Sequence, residues 1–168
     1  MKSKIFIAIF LALGLIPAVT RAQTTAESIK KFNVAITIEQ SGNILVKESI
    51  SYDFGTNQLR GIFRDIPVKY DARGGNYNLR LENINITDDQ GKPLTFTTTR
   101  DGKNLSIKIG DEDIYLTGLH TYVISYETDR AINFFNDQDE LYWNAIGDEW
   151  DVPILETTAS IRTSVPSD

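Results

Sequence analysis

Glu48 stands on a strand face shared with Ile44, Val46, Ile50, Tyr52 and Phe54. A carboxylate in that company needs a cation, hydrogen-bond donors or an exit to water, because an unpaired buried charge is expensive. Arg60 and Arg64, on the next segment, are the nearest cations in sequence. An ion pair of Glu48 with Arg64, or with Arg60, would pin the loop around Gly61 onto the sheet. The competing expectations are an edge-strand Glu48 that faces water, and arginines that hold a ligand carboxylate through two parallel hydrogen bonds.

Both tryptophans lie in one stretch, Trp143 and Trp150, with acidic residues on either side. Tyr142, Trp143 and Trp150 could form a platform on which sugar faces stack, with Asp139, Glu140, Asn144 and Asp148 as hydrogen-bonding groups. The alternative is that both tryptophans are core, since aromatics contribute large buried areas. Gly61, Phe63, Tyr142, Trp143, Asn144 and Trp150 are the candidate binding surface.

Acid catalysis of the glycosidase kind needs two positioned carboxyl groups. Asp137, Asp139, Glu140, Asp148, Glu149 and Asp151 offer many pairs and no specific one. Asp111-Glu112-Asp113 and Asp137 to Glu140 carry oxygen ligands close in sequence, but neither has the glycine and distal glutamate of an EF-hand loop. The single histidine, His120, alternates with Tyr122, Ile124 and Tyr126, as a packing residue would. No Gly-x-Ser-x-Gly element supplies a nucleophile elbow. The chain has no cysteine, so disulfides, thiolate metal sites and cysteine nucleophiles are all excluded. No catalytic residue, metal or cofactor is assigned.

The elements that must hold these residues read as strands. Phe32, Val34, Ile36 and Ile38 alternate with polar residues, Gln40 to Asn43 form a turn, and Ile44 to Phe54 return. Residues 55–70 are less regular and close at Pro67. The alternation of Tyr77, Leu79 and Leu81 slips to Ile84 and Ile86, which predicts a β-bulge near Glu82-Asn83. Asp88 to Gly91 and Asp101-Gly102 are turns around short strands. His120 to Tyr126 and Thr157 to Val165 alternate again. With no amphipathic helix pattern, the chain is expected to be all-β: an antiparallel two-sheet β-sandwich of immunoglobulin-like or related topology over 32–166.

Ahead of it, residues 23–31 read as a polar lead-in and 1–22 as a signal peptide. Lys2 and Lys4 precede the apolar run Ile5 to Ile16, Pro17 breaks it, and Thr20-Arg21-Ala22 suits a signal peptidase. Ile5 to Val19 is shorter than the roughly 20 residues that cross a bilayer. The chain is acidic, net −6, and loses Lys2, Lys4 and Arg21 with such a leader. That charge gives no electrostatic reason to bind nucleic acid or an anionic lipid surface.

Val46-Lys47-Glu48-Ser49-Ile50, then Gly61-Ile62-Phe63-Arg64-Asp65-Ile66-Pro67, then Tyr122-Val123-Ile124-Ser125-Tyr126, then Leu141-Tyr142-Trp143-Asn144 with Gly147, Trp150 and Pro153 form an ordered set. Behind an export signal, this order resembles the N-terminal extracytoplasmic part of the bacterial predicted membrane proteins grouped as domain of unknown function 2207. The resemblance spans nearly all of the chain after the leader. It implies an outward-facing head on a membrane protein, attached through helices absent from this chain, or else a shorter secreted relative. It lends no catalytic residues. The expected function is therefore an exported, non-catalytic binding or structural module. Its partner would be an envelope protein or glycan. A carbohydrate-binding module of the cell envelope is the alternative, and a secreted hydrolase using paired carboxylates a further one.

Overall fold

The computed structural model describes residues 26–72 and 75–164, so the expected signal peptide lies outside the described residues. All regular structure among them is β. Strand β1 (Ser28–Ile38) forms a hairpin with β2 (Ile44–Asp53). Then follow β3 (Gly61–Pro67), the small hairpin β4 (Lys69–Ala72) and β5 (Gly75–Asn78), and β6 (Leu81–Thr87). A third hairpin joins β7 (Phe96–Asp101) to β8 (Asn104–Gly110), and β9 (Leu119–Thr128) is the last long strand. The chain closes with β10 (Ile132–Phe134), β11 (Asp139–Leu141) and β12 (Thr157–Thr163).

A five-stranded sheet has the order β12-β1-β2-β9-β6, and a three-stranded sheet the order β3-β8-β7. The inward rows of both meet in one core. Phe32, Val34, Ile36, Val46, Ile50, Ile86 and Ile124 come from the larger sheet, and Ile62, Ile66, Ile107 and Ile109 from the smaller. The two-residue alternation of β-branched and aromatic side chains sets these rows, because successive side chains of a strand point to opposite faces.

Three features depart from the sequence expectation. β1 opens at Ser28, inside the expected lead-in, and Ile29 is fully buried. A bulge between Ile29 and Lys31 lets Ile29 and Phe32 both face inward although three positions separate them. Lys30-Lys31 disguised this turn of the strand as polar. Second, the larger sheet is not wholly antiparallel: β12 runs parallel to β1. Third, Gly61 is not on a loop. It begins β3 and pairs with Gly110 of β8 so closely that a Cβ on either would lie 1.9 Å from a backbone oxygen across the pair. The slip near Glu82-Asn83 is a bulge, with Asn83 at φ 54°.

A buried ion pair under a tryptophan strap

The carboxylate of Glu48 and the guanidinium of Arg64 meet between the two sheets. Arg64 Nε donates to Glu48 Oε2 at 2.8 Å and Nη2 donates to Oε1 at 2.9 Å, a bidentate pair. Glu48 is 0% exposed and Arg64 1%. β2 supplies the acid and β3 the base, so the pair ties one sheet to the other. The third nitrogen bonds locally, with Arg64 Nη1 donating to the Asp65 carbonyl at 2.8 Å.

A third group completes the cluster. Tyr126 of β9 donates its hydroxyl to Glu48 Oε1 at 2.8 Å. Glu48 lies opposite Ile124 in the β2–β9 ladder, so Tyr126 is its diagonal neighbour on the same face. Burial, and then the Glu48 charge, push the Tyr126 phenol well above its ordinary range. Burial by itself would lower the Arg64 guanidinium, but the charge and hydrogen bond of Glu48 hold it above its usual value. The cluster thus joins the Tyr126 phenol to Glu48 and Glu48 to the Arg64 guanidinium, with all three side chains buried. Such a pair costs several kcal/mol per ion to desolvate and persists only with this completeness of bonding.

Residues 142–156 have no regular structure, yet they strap the cluster down. The Trp143 ring is tilted against Tyr126 at 6.2 Å between centroids. The Trp150 ring meets Phe32 edge-on at 5.8 Å. The Arg64 guanidinium carbon lies 5.5 Å from the Phe32 ring centre and 5.6 Å from that of Trp150. Gly147, at φ 79°, passes so near Arg64 that a Cβ would come within 2.6 Å of Nη1. The Trp150 indole donates to the Ile146 carbonyl at 3.2 Å, and the Asn144 side chain accepts from the Gly147 N–H at 3.0 Å, which fixes the turn of the strap. Its far end is stitched to β1, where the Ile29 N–H donates to the Pro153 carbonyl and the Leu155 N–H to Ile29.

The other expected site residues lie apart from this cluster. Arg60 is exposed, and its Nη2 donates to the Tyr115 hydroxyl while the guanidinium covers that ring. Glu48 is central in the sheet, so the expectation of an edge position open to water is corrected. Tyr142 is 56% exposed and touches Tyr70 edge-on. Tyr142, Trp143 and Trp150 therefore meet three different partners, and the two tryptophans are half-buried. Phe63, at 60% exposure, projects from β3 away from the core. His120 caps the Thr117 carbonyl through Nε2 and leans on Phe54. Among the described residues no group of three or more His, Asp or Glu side chains is placed to hold a metal ion.

Sequence reasoning missed two members of the cluster. Tyr126 carried a readable signal, a phenol on the apolar face of a strand, which must find an acceptor. Gly147 was legible only as part of the family resemblance, because its constraint is a close approach to a residue far away in sequence.

One open surface groove, with a volume of about 660 Å³, runs between β3 and the strap. Gly61, Phe63 and Trp150 border it, together with Tyr52, Asp65, Glu149 and Asp151. Tyr142, Trp143 and Asn144 do not.

The fold and the strapped ion pair together define an all-β domain whose most distinctive residues serve its interior. The chain belongs to the family described as the N-terminal domain of predicted membrane proteins (DUF2207), whose model matches residues 28–167. It is 29% identical over 152 residues to the uncharacterized protein YciQ of Escherichia coli (strain K12), covering 86% of this chain and 23% of that protein. The chain thus spans about a quarter of that relative's length. Among solved structures it is similar to native yeast LTA4 hydrolase, at 12% identity and TM-score 0.54, and to the same enzyme in complex with bestatin, at 13% and 0.55. Each match covers 83% of this chain and 23% of the enzyme. At that identity the likeness concerns fold alone. No helix among the described residues is long and apolar enough to cross a membrane.

Proposed function

We propose that the chain is a two-sheet β-sandwich serving as the non-catalytic, outward-facing head of an exported membrane protein, with recognition along the groove between β3 and the strap. The observation that carries this reading is the fate of the residues on which the resemblance rests. Glu48, Arg64, Tyr126, Trp143, Gly147 and Trp150 converge on one closed interior strut, with both oxygens of Glu48 and all three nitrogens of Arg64 bonded within the protein. Groups consumed in this way position a surface and do no chemistry on a substrate. The groove is what that strut positions, since β3 forms one wall and the strap the other.

Two further readings have less support. A sugar platform of Tyr142, Trp143 and Trp150 requires rings on one exposed face, and these three pack on separate partners. A hydrolase needs a matched carboxyl pair, and the acids of the strap are exposed side chains without a positioned counterpart.

The test of location is a pair of reporters fused in frame after Ser164 of the full chain in a bacterial host. A phosphatase active only outside the cytoplasm should give activity, and a reporter active only inside it should give none. The reverse pattern removes the outward-facing head.

A further inference from the structure

Strand β3 lies at the edge of its sheet. Which of its backbone groups face the free rim follows from the ladder. The Gly110 N–H donates to the Thr95 carbonyl, so Gly110 turns its backbone toward β7. Its partner Gly61 is then a non-hydrogen-bonded pair with it, and by the two-residue alternation Gly61, Phe63 and Asp65 present N–H and C=O to the rim. The Asp65 carbonyl is taken by Arg64 Nη1. The rim groups of Gly61 and Phe63 bond no other backbone among the described residues.

The groove beside that rim has a definite chemistry. Phe63 and the half-buried Trp150 supply aromatic surface. Among the described residues Glu149 and Asp151 make no ion pair or side-chain hydrogen bond, and Asp65 Oδ1 has no donor. Of the two cations that border the groove, Lys108 is paired with Glu112, while Arg60 meets only the neutral Tyr115 and is outnumbered by Glu27, Asp65, Glu149 and Asp151. The charge left over is negative, set among rings that attract cations through their faces.

We propose that this groove takes an extended polypeptide segment bearing lysine or arginine, added as a fourth strand on the free edge of β3. Main-chain bonds to Gly61 and Phe63 give the register, and alternate cationic side chains reach Glu149 and Asp151. The proposal rests on the reading of the chain as a binding module, and it deepens it by naming the partner's chemistry.

The probe is the peptide Lys-Val-Lys-Val-Lys, titrated into the purified chain by calorimetry and tryptophan fluorescence. Saturable binding with a change in emission is expected. Glu149→Gln combined with Asp151→Asn should weaken it about tenfold or more, whereas Asp137→Asn with Asp139→Asn, an equal charge change elsewhere, should leave it within about twofold. The same peptide N-methylated at every amide should also lose about tenfold, since the rim bonds are then blocked in either register. Absence of binding, equal loss in both charge variants, or undiminished binding of the methylated peptide overturns the proposal. So does displacement of the emission change by a glycan such as chitotetraose. The titration is done in solution, so its failure leaves the reporter result on location standing, and the reverse.

Discussion

At the scale of single residues, the Glu48–Arg64–Tyr126 cluster concentrates the protein's sensitivity to substitution. Glu48→Gln leaves Arg64 buried without its counter-charge, and the loss should be about 3–5 kcal/mol of folding free energy in urea denaturation. Converting both members to apolar residues of similar size should recover most of that loss, because the penalty belongs to the orphaned charge. Tyr126→Phe removes one hydrogen bond to a carboxylate and should cost about 1.5–3 kcal/mol by the same measurement. Gly147→Ala adds strain from a positive φ to a Cβ 2.6 Å from Arg64 Nη1. It should cost about 1–3 kcal/mol and shift tryptophan emission to the red as the strap lifts. A silent Gly147→Ala would mean that the strap does not press on the guanidinium.

At the scale of elements, β12 and the Gly61–Gly110 crossing behave in opposite ways. Thr157, Ala159 and Ile161 are in register with Phe32, Val34 and Ile36, so they extend the inner face of the larger sheet. Every residue of β12 is nonetheless exposed, Ile161 by 61%. Ile161→Thr should therefore change stability by less than about 0.5 kcal/mol, the range of ordinary surface substitutions. Gly61→Ala faces a fixed backbone oxygen rather than a movable side chain. It should detach the start of β3 from β8, seen as lost amide-exchange protection at Ile62 and Ile109, and deform the groove wall with it.

Across the whole molecule, three buried tyrosines set the alkaline limit of stability. Burial pushes the Tyr122 phenol up to about 12, and burial with the neighbouring Glu27 raises Tyr52 too. Tyr126 is raised in the same direction. A phenol whose folded pKa exceeds its unfolded value near 10 contributes stability that is complete below pH 10 and disappears as pH climbs through the folded value. Thermal unfolding should accordingly be flat up to about pH 10 and fall steeply between about 10 and 12. A midpoint that holds steady to pH 12 would contradict the burial of these hydroxyls. At the acid end, Asp53, lowered by the Gly55 amide and by Lys30, and Asp129, lowered by Arg80, stabilise the fold above the usual carboxylate range and lose that effect below it. Both are surface pairs, so this acid limb should be shallow.

The strand rhythm, the all-β class, the family and the need of Glu48 for a partner were all legible along the chain. These are local facts: alternation, turn residues and one misplaced charge are legible within a few positions. Lys30-Lys31 hid the start of β1 because a bulge restores the inward row only once β2 is alongside. Tertiary structure alone selected Arg64 over Arg60, since the choice depends on which residue of β3 faces the gap between sheets. It alone made β12 a parallel neighbour of β1, and it alone brought Tyr126, Gly147 and Trp150 to the same guanidinium. Contacts between residues far apart in the chain are fixed by how whole sheets stack, and no single stretch of residues contains that information.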